Sequence, residues 1–379
     1  MKCYFNILLL IIIFSISPFR LYSTEADTIM SNIMEKDTFC ISNYSEATKK
    51  KKTLFQKVYK IIKDFSRVDT NYIEEQKYNF TVMLQNTNTY EHYQLQSENG
   101  YSIEFAPNPS YKLGPYIGWR WIFLGYTIDL KHIGSGSNRQ DFNLSLYSNQ
   151  IGIDLFYRKS GDNYKIKNIK GVSDTDLSPM KNVDFDGFKS SIKGFNLYYI
   201  TNHKKFSYPA AYSQSTIQRK SAGSPLFGIG YTKHSIDIDW TKFHQLAEEK
   251  LGKELVDMKA DSALRSGKIN YNDYSLTGGY AYNWVFAKNW LLDVSLSLGI
   301  AYKHTVSDMD KGGLSFRNFD LKNFNIDGVS RVGIVWNNMR WYYGLSAIFH
   351  TYNYKKRYFR TNTMFGNVNI YIGYNFGKR

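Results

Sequence analysis

Residues 290–302 read Trp-Leu-Leu-Asp-Val-Ser-Leu-Ser-Leu-Gly-Ile-Ala-Tyr, and they constrain the fold more than any other stretch of the chain. Trp290, Leu292, Val294, Leu296, Leu298, Ile300 and Tyr302 share one parity; Asp293, Ser295, Ser297, Gly299 and Ala301 share the other. Successive strand side chains point to opposite faces, so this strand has one apolar face ending in aromatics and one small, polar face. A strand that crosses a bilayer within a barrel has this form, apolar toward lipid and polar toward the lumen.

The pattern recurs. Tyr274, Leu276, Tyr280, Tyr282 and Trp284 oppose Ser275, Thr277, Gly279, Ala281 and Asn283, and Trp341, Tyr343, Leu345, Ala347 and Phe349 oppose Arg340, Gly344, Ser346 and His350. In the last strand Val368, Ile370, Ile372, Tyr374 and Phe376 face out while Asn367, Asn369, Gly373 and Asn375 face in. Trp119 to Tyr126 is apolar on both parities, which points to a bulge or a glycine kink at Gly118 or Gly125. Candidate strands cover 78–97, 100–107, 111–131, 139–148, 150–159, 187–202, 225–239, 271–286, 289–304, 324–337, 339–353 and 362–376. The expected fold is therefore all-β, an antiparallel transmembrane β-barrel of about twelve strands.

The ends of the chain and its loops set the topology. Lys2, the apolar run Ile7 to Ile13, and the small residues Ser23, Thr24 and Ala26 predict a cleavable secretory signal over 1–26. No later segment approaches an apolar helix of spanning length. Cys40 is then the single cysteine of the mature chain, since Cys3 lies in the signal, and no internal disulfide is possible. Residues 27–77 form a periplasmic extension in which Leu54, Phe55, Val58, Ile61, Ile62 and Phe65 predict an amphipathic helix over Glu46 to Phe65. That helix rests on the barrel rim or touches anionic lipid headgroups. The barrel itself occupies 78–379. Short turns at Pro107–Ser110, Ser148–Gln150, Ala287–Asn289 and Asn337–Asn338 alternate with long loops at 160–186, 240–270 and 305–323, and counting back from a periplasmic C-terminus puts these short turns on the periplasmic side. The tight turn at Glu98-Asn99 is an exception.

Of 379 residues, 32 are Tyr, 25 Phe and 7 Trp, yet the mean hydropathy is only −0.43, as a barrel with a polar lumen requires. A net charge of +15 favours an anionic neighbour. The expected partners are outer-membrane lipid, lipopolysaccharide and the barrel-assembly machinery. No nucleic-acid motif accompanies the charge. Oligomeric state is left open.

Candidate lumen residues on the inward parity are Asp154, Arg158, Asn283, Asp293, Lys303, Asp327, Arg331, Arg340 and His350. They form either a ladder of paired charges filling a narrow barrel, or the wall of a narrow conduit for small, possibly anionic, solutes, or an interior that holds a ligand. Carboxylate partners for Arg158, Arg331 and Arg340 decide between these. Segment 203–224 is periplasmic yet long, and carries Lys204, Lys205, Arg219 and Lys220; it is a lumenal plug or basic constriction, or an exposed loop. Over 240–270, Phe243, Leu246, Ala247, Leu251, Leu255 and Met258 predict a short helix that covers the barrel mouth or offers a partner-binding surface.

Enzyme chemistry finds little support. None of the seven histidines has Ser two residues later, and His234-Ser235 point to opposite faces, so a barrel lipase would have to assemble its pair from different strands. No metal or phosphate-loop spacing occurs, and no catalytic residue or cofactor is expected. The cluster Gly134-Ser135-Gly136-Ser137 reads as a loop tip, and Asp237 and Asp239 as solvated.

Three stretches carry a resemblance: Leu113 to Tyr126 (LGPYIGWRWIFLGY), Phe206 to Ser215 (FSYPAAYSQS) and Tyr280 to Phe286 (YAYNWVF). They resemble a bacterial family of domains of unknown function, number 4421, found mainly in Bacteroidetes. The resemblance covers most of the mature chain. It implies a cell-envelope location and no assigned activity.

Overall fold

The computed structural model describes residues 67–97, 100–119, 122–125, 128–129, 140–159, 163–171, 176–252, 267–305, 323–355 and 359–378. The expected signal, Cys40 and the Glu46 to Phe65 helix lie outside the described residues. The strands are β1 (Ile73–Glu75), β2 (Tyr78–Ser97), β3 (Ser102–Pro107), β4 (Ser110–Trp119), β5 (Ile122–Gly125), β6 (Ile128–Asp129), β7 (Gln140–Tyr147), β8 (Ile151–Lys159) and β9 (Tyr164–Lys170). They continue with β10 (Val183–Phe185), β11 (Phe188–Ile200), β12 (Thr216–Gln218), β13 (Ala222–Ile238), β14 (Lys268–Ala287), β15 (Trp290–Thr305), β16 (Phe324–Asn337), β17 (Trp341–Lys355) and β18 (Phe359–Lys378). Two helices, α1 (Pro209–Tyr212) and α2 (Trp240–Leu251), join them.

One antiparallel sheet runs β7-β8-β11-β13-β14-β15-β16-β17-β18-β2, and β2 then pairs with both β3 and β4. Among the described residues the wall is crossed twelve times, by β2, β3–β4, β5–β6, β7, β8, β11 and β13 through β18. Two boundaries differ from the sequence reading. β3 and β4 lie end to end along the same edge of β2, Tyr93 opposite Phe105 and Thr89 opposite Ser110, so 102–119 is one pass and Pro107–Ser110 is a break within it rather than a periplasmic turn. Pro107 and Pro109 have no N–H for the ladder, and the strand leaves register there. The chain reverses between Trp119 and Ile122, which pair directly. The doubly apolar stretch is therefore a hairpin that resets parity, and no kink is needed. Glu98 and Asn99 lie outside the described residues, but β2 passes into β3 at the end that carries the long loops, so this tight connection remains an exception to the alternation of short turns and long loops.

The sheet curls back on itself. Arg158 on β8 donates to the carbonyls of Tyr90 on β2 (3.2 Å) and Gly366 on β18 (3.4 Å), although the hydrogen-bonded path between these strands goes round the wall. Among the described residues β5–β6 and β7 share no ladder and form the two edges. Lys112 on β4 reaches Asp141 on β7 across that gap at 3.3 Å.

Burial is inverted relative to a water-soluble protein. Leu276 is 70% exposed, Ile326 64% and Ile300 63%, while Asp293 and Lys303 are fully buried. Exposed apolar surface of this extent requires a nonaqueous neighbour, and a hydrogen-bonded wall with a polar interior is the only strand arrangement that tolerates lipid. Aromatic girdles bound the band. At the end holding the C-terminus, Trp284, Phe286, Trp290, Tyr343 and Trp336 form a chain of ring contacts, and Trp341, Tyr374, Phe376 and Phe80 form another. At the loop end, Tyr302 meets Phe324 and Tyr231 meets Tyr274. The protein is a transmembrane β-barrel. Leu296→Arg, in the middle of the band, is expected to cost about 2–4 kcal/mol in urea unfolding from bilayers, and Leu292→Arg, nearer the girdle, distinctly less.

The loop end is closed by an apolar core. β9, β10, the turn Ser178–Met180 and α2 pack over the mouth, with Phe105 stacked on Phe188 at 4.4 Å and Phe185 edge-on to Phe243 at 5.9 Å. Asp239 caps α2 by accepting from the Lys242 N–H, and Gly252 ends it in the left-handed region. Phe243, His244 and Ala247 are buried beneath this helix, so its apolar face covers the barrel mouth and is not a free partner surface. Leu255 and Met258 lie outside the described residues.

Candidate functional site: the lumen and its plug

Three polar layers fill the barrel. Near the loop end, Lys303 on β15 is held between Asp327 (2.6 Å) and Asp273 (3.0 Å), with the rings of Tyr271 and Tyr352 on either side. All three charged side chains come from neighbouring strands, β14, β15 and β16. At mid-depth, Arg331 on β16 forms an ion pair with Asp154 on β8, right across the lumen. Ser145 donates to the other oxygen of Asp154 at 2.7 Å, and Tyr198 lies 4.7 Å beneath the guanidinium. The Tyr198 ring lies flat on Gly152, where a Cβ would fall 2.1 Å from it, so glycine is required at that position. Arg158 pairs with Asp141 (3.3 Å) and Glu91 (3.7 Å), and stacks over Phe365. His350 contacts the Asn196 amide at 3.4 Å between the rings of Phe156 and Phe365.

The third layer is a loop inserted from the C-terminal end of the barrel. Phe206, Ser207, Tyr208 and Ala211 are fully buried inside the wall. Pro209 starts α1, where its missing N–H costs nothing. Tyr212 donates to Asp293 at 2.6 Å, and Asn283 donates to the Ser207 carbonyl (2.9 Å) and to Gln218 (3.0 Å). Gln214, in the left-handed region at φ 58°, turns its amide to Tyr371 and accepts from Asn337, both at 3.1 Å. The segment plugs the lumen with aromatic and amide groups.

A strap ties the plug down. β1 pairs with β12, Ile73 opposite Gln218 and Glu75 opposite Thr216. Asp69 N–H donates to the Lys204 carbonyl (2.8 Å), Gln76 N–H to Ser215 (3.2 Å) and Arg219 N–H to Tyr72 (2.7 Å). Both stems of the plug are thus bonded to residues 69–76. Lys204, Lys205, Arg219 and Lys220, expected to make a basic constriction, are all exposed on this outer side. Arg219 binds Glu74 and Asn289, while Lys205 and Lys220 flank the Tyr72 ring at 5.0 and 5.6 Å. A lysine or arginine buried here would have to shed its water and find a carboxylate, whereas at the rim all four keep their hydration.

Burial pushes the Glu74 carboxyl up, but hydrogen bonds from Lys77 and Arg219 outweigh it and hold the group below its ordinary value near 4.5. A carboxylate with a depressed folded value stabilises the fold above its unfolded value and loses that effect as pH falls through the folded one. The strap is therefore expected to loosen below about pH 4.5, read as faster protease cleavage of 203–221 in acid, with Glu74→Gln removing the pH dependence.

Of the residues assigned to the lumen from sequence, Asp154, Arg158, Asn283, Asp293, Lys303, Asp327, Arg331 and His350 face inward and are buried. Arg340 does not. It lies in the turn before β17, exposed, donating to the Tyr374 hydroxyl at 2.8 Å and packing on that ring, because the tight turn begins one residue before the strand's alternation starts. The partners that complete the network, Glu91, Asp141, Asp273 and Lys112, were missed. Asp273 stands two residues before Ser275 on the same parity and could have been found; Asp141 and Glu91 needed the inward parities of β7 and β2. Arg158 and Arg331 thus both have carboxylate partners, the arrangement expected of a ladder of paired charges, and among the described residues the lumen holds the cations Lys112, Arg158, Lys303 and Arg331 beside Glu91, Asp141, Asp154, Asp273, Asp293 and Asp327.

His234 is stacked on Tyr271 at 4.5 Å. Among the described residues no group of His, Cys, Asp or Glu could hold a metal ion, and no helix is long and apolar enough to cross a membrane.

Solved structures similar to this chain are outer-membrane proteins. The toluene transporter TodX of P. putida is 9% identical, over 79% of this chain and 91% of that one, at a TM-score of 0.22. The outer membrane protein OprG of Pseudomonas aeruginosa is 10% identical, over 80% and 98%, at 0.22, and the transport unit of the autotransporter AIDA-I of Escherichia coli is 11% identical, over 78% and 90%, at 0.28. The barrel assignment rests on the wall geometry and not on these likenesses. Among curated proteins none matches the sequence. The model of the family described as domain of unknown function (DUF4421) matches residues 67–376, from the strap through the last strand, and the chain belongs to that family.

Proposed function

We propose that this protein is a non-enzymatic outer-membrane barrel that works as a gated, narrow conduit, shut by the 206–218 plug and held shut by the 69–76 strap. The turn side, with the C-terminus and the plug, faces the periplasm, and the apolar-capped loop end faces outward. Membrane lipid and lipopolysaccharide surround the band, and the barrel-assembly machinery inserts it.

One observation carries the reading. The plug is one short segment, seated on the wall by side-chain hydrogen bonds to Asp293, Asn283, Asn337 and Tyr371 and by packing of Phe206, Tyr208, Ala210 and Ala211, whereas the loop end is sealed by a larger apolar core built from many elements. Each such bond nets only about 0.5–1.5 kcal/mol because water can replace it, so release of the plug is governed by its apolar packing and by the strap. The lumenal cations are matched by carboxylates, so the net charge of the chain does not by itself mark the lumen for anionic solutes.

Planar-bilayer recording tests this. The intact chain is expected to be nearly silent, and replacement of 206–218 by a short Gly-Ser linker to give discrete openings. If the deleted barrel folds and stays silent, the paired-charge ladder is a filling and the protein is a structural wall.

A further inference from the structure

Between the plug and the mid-depth charges lies a cavity of about 200 Å³. A single water needs roughly 10–15 Å³ on that measure, so the space admits a small molecule of one ring. Its floor is Tyr212 of the plug, its side Tyr147, Asn367 and Asn369, and its roof His350 and Phe365. Asp154 and Arg158 also border it, but Arg331 neutralises the first, and Asp141 and Glu91 the second. A charged ligand therefore meets no unmatched opposite charge and would lose hydration without compensation.

What remains are neutral donors and acceptors beside aromatic faces. The Tyr147 hydroxyl is buried beside Ser145 and Arg331, and its ring stacks on Tyr212 at 5.5 Å. Asn369 is already oriented, accepting from Gln85 (3.2 Å) and Thr87 (2.9 Å). Asn143 lines the cavity and is exposed, which gives it access beside β7. Amides that donate and accept at once, set next to rings that accept C–H faces, match a molecule whose edges are hydroxyls and whose faces are apolar.

We propose that this cavity is a binding site for a small, uncharged polyhydroxylated ring, a monosaccharide or cyclic polyol. The proposal rests on the conduit reading for its purpose, but binding is measured without conduction, so the two fail separately.

The test is isothermal titration of the full-length folded protein in detergent with D-glucose and with myo-inositol, against inorganic phosphate and glutamate. Uptake of at least one neutral ring and of neither anion is expected. Asn367→Phe fills the space and is expected to weaken binding at least about tenfold. Asn367→Ala keeps the space and is expected to weaken it less. Heat-shifted migration on gels confirms that both variants are folded. Titrating the barrel that lacks 206–218 keeps slow access past the plug from being mistaken for lack of a site. No binding to either form, binding of the anions alone, or equal binding by wild type and Asn367→Phe each overturns the proposal. A barrel that binds glucose but never conducts would retain the site and discard the conduit.

Discussion

Arg331→Met is expected to destabilise the folded barrel by about 3–5 kcal/mol in urea unfolding from vesicles, because it strands Asp154 as an uncompensated buried charge. The guanidinium is the single cation paired with Asp154 among the described residues, and it bridges β16 to β8 across the lumen. The loss is thus felt in two distant parts of the wall. The double variant R331M/D154L removes both charges and is expected to recover most of the stability, since apolar groups of similar volume often replace a buried pair at little cost. If the single and double variants were equally unstable, packing of Arg331 over Tyr198 and Tyr208, and not its charge, would be the dominant contribution.

Lys303→Met is the second large effect, again about 3–5 kcal/mol, with a different signature. It leaves Asp273 and Asp327 facing each other in a fully buried site with no cation. Adding D273N and D327N is expected to restore folding, whereas D273N alone is expected to restore only part. Lys303 ties adjacent strands of one continuous ladder, so its loss is expected to destabilise β14–β16 locally. Arg331 spans the ring, so its loss is expected to accelerate opening of the whole wall. Hydrogen exchange of the strand amides separates the two.

Much of this arrangement was legible beforehand because barrel geometry is written at period two. Any confidently placed strand declares its inward residues, and Asp293, Lys303, Asp327 and Arg331 could be assigned to the lumen from parity alone. The rule failed at strand ends. Arg340 shares the parity of Ser346 and His350 but precedes the wall, and the stretch from Trp119 to Tyr126 contains a reversal that apolar residues on both faces conceal. Prolines 107 and 109 mark a real interruption, yet nothing local distinguishes a break within one pass from a turn between two.

The sequence by itself determined the inside and outside of the wall, the side on which the long loops gather, and the anomaly of 203–224. These follow from side-chain alternation and connection length, both local properties. Only the tertiary structure decided who pairs with whom across the lumen, that the plug is built from Tyr208, Tyr212 and Gln214 while its lysines and arginine stay outside, and that residues 69–76 strap it in place. Those contacts join residues far apart in the chain, such as Tyr212 to Asp293 and Arg331 to Asp154. They depend on the curl of the sheet, which no local pattern encodes.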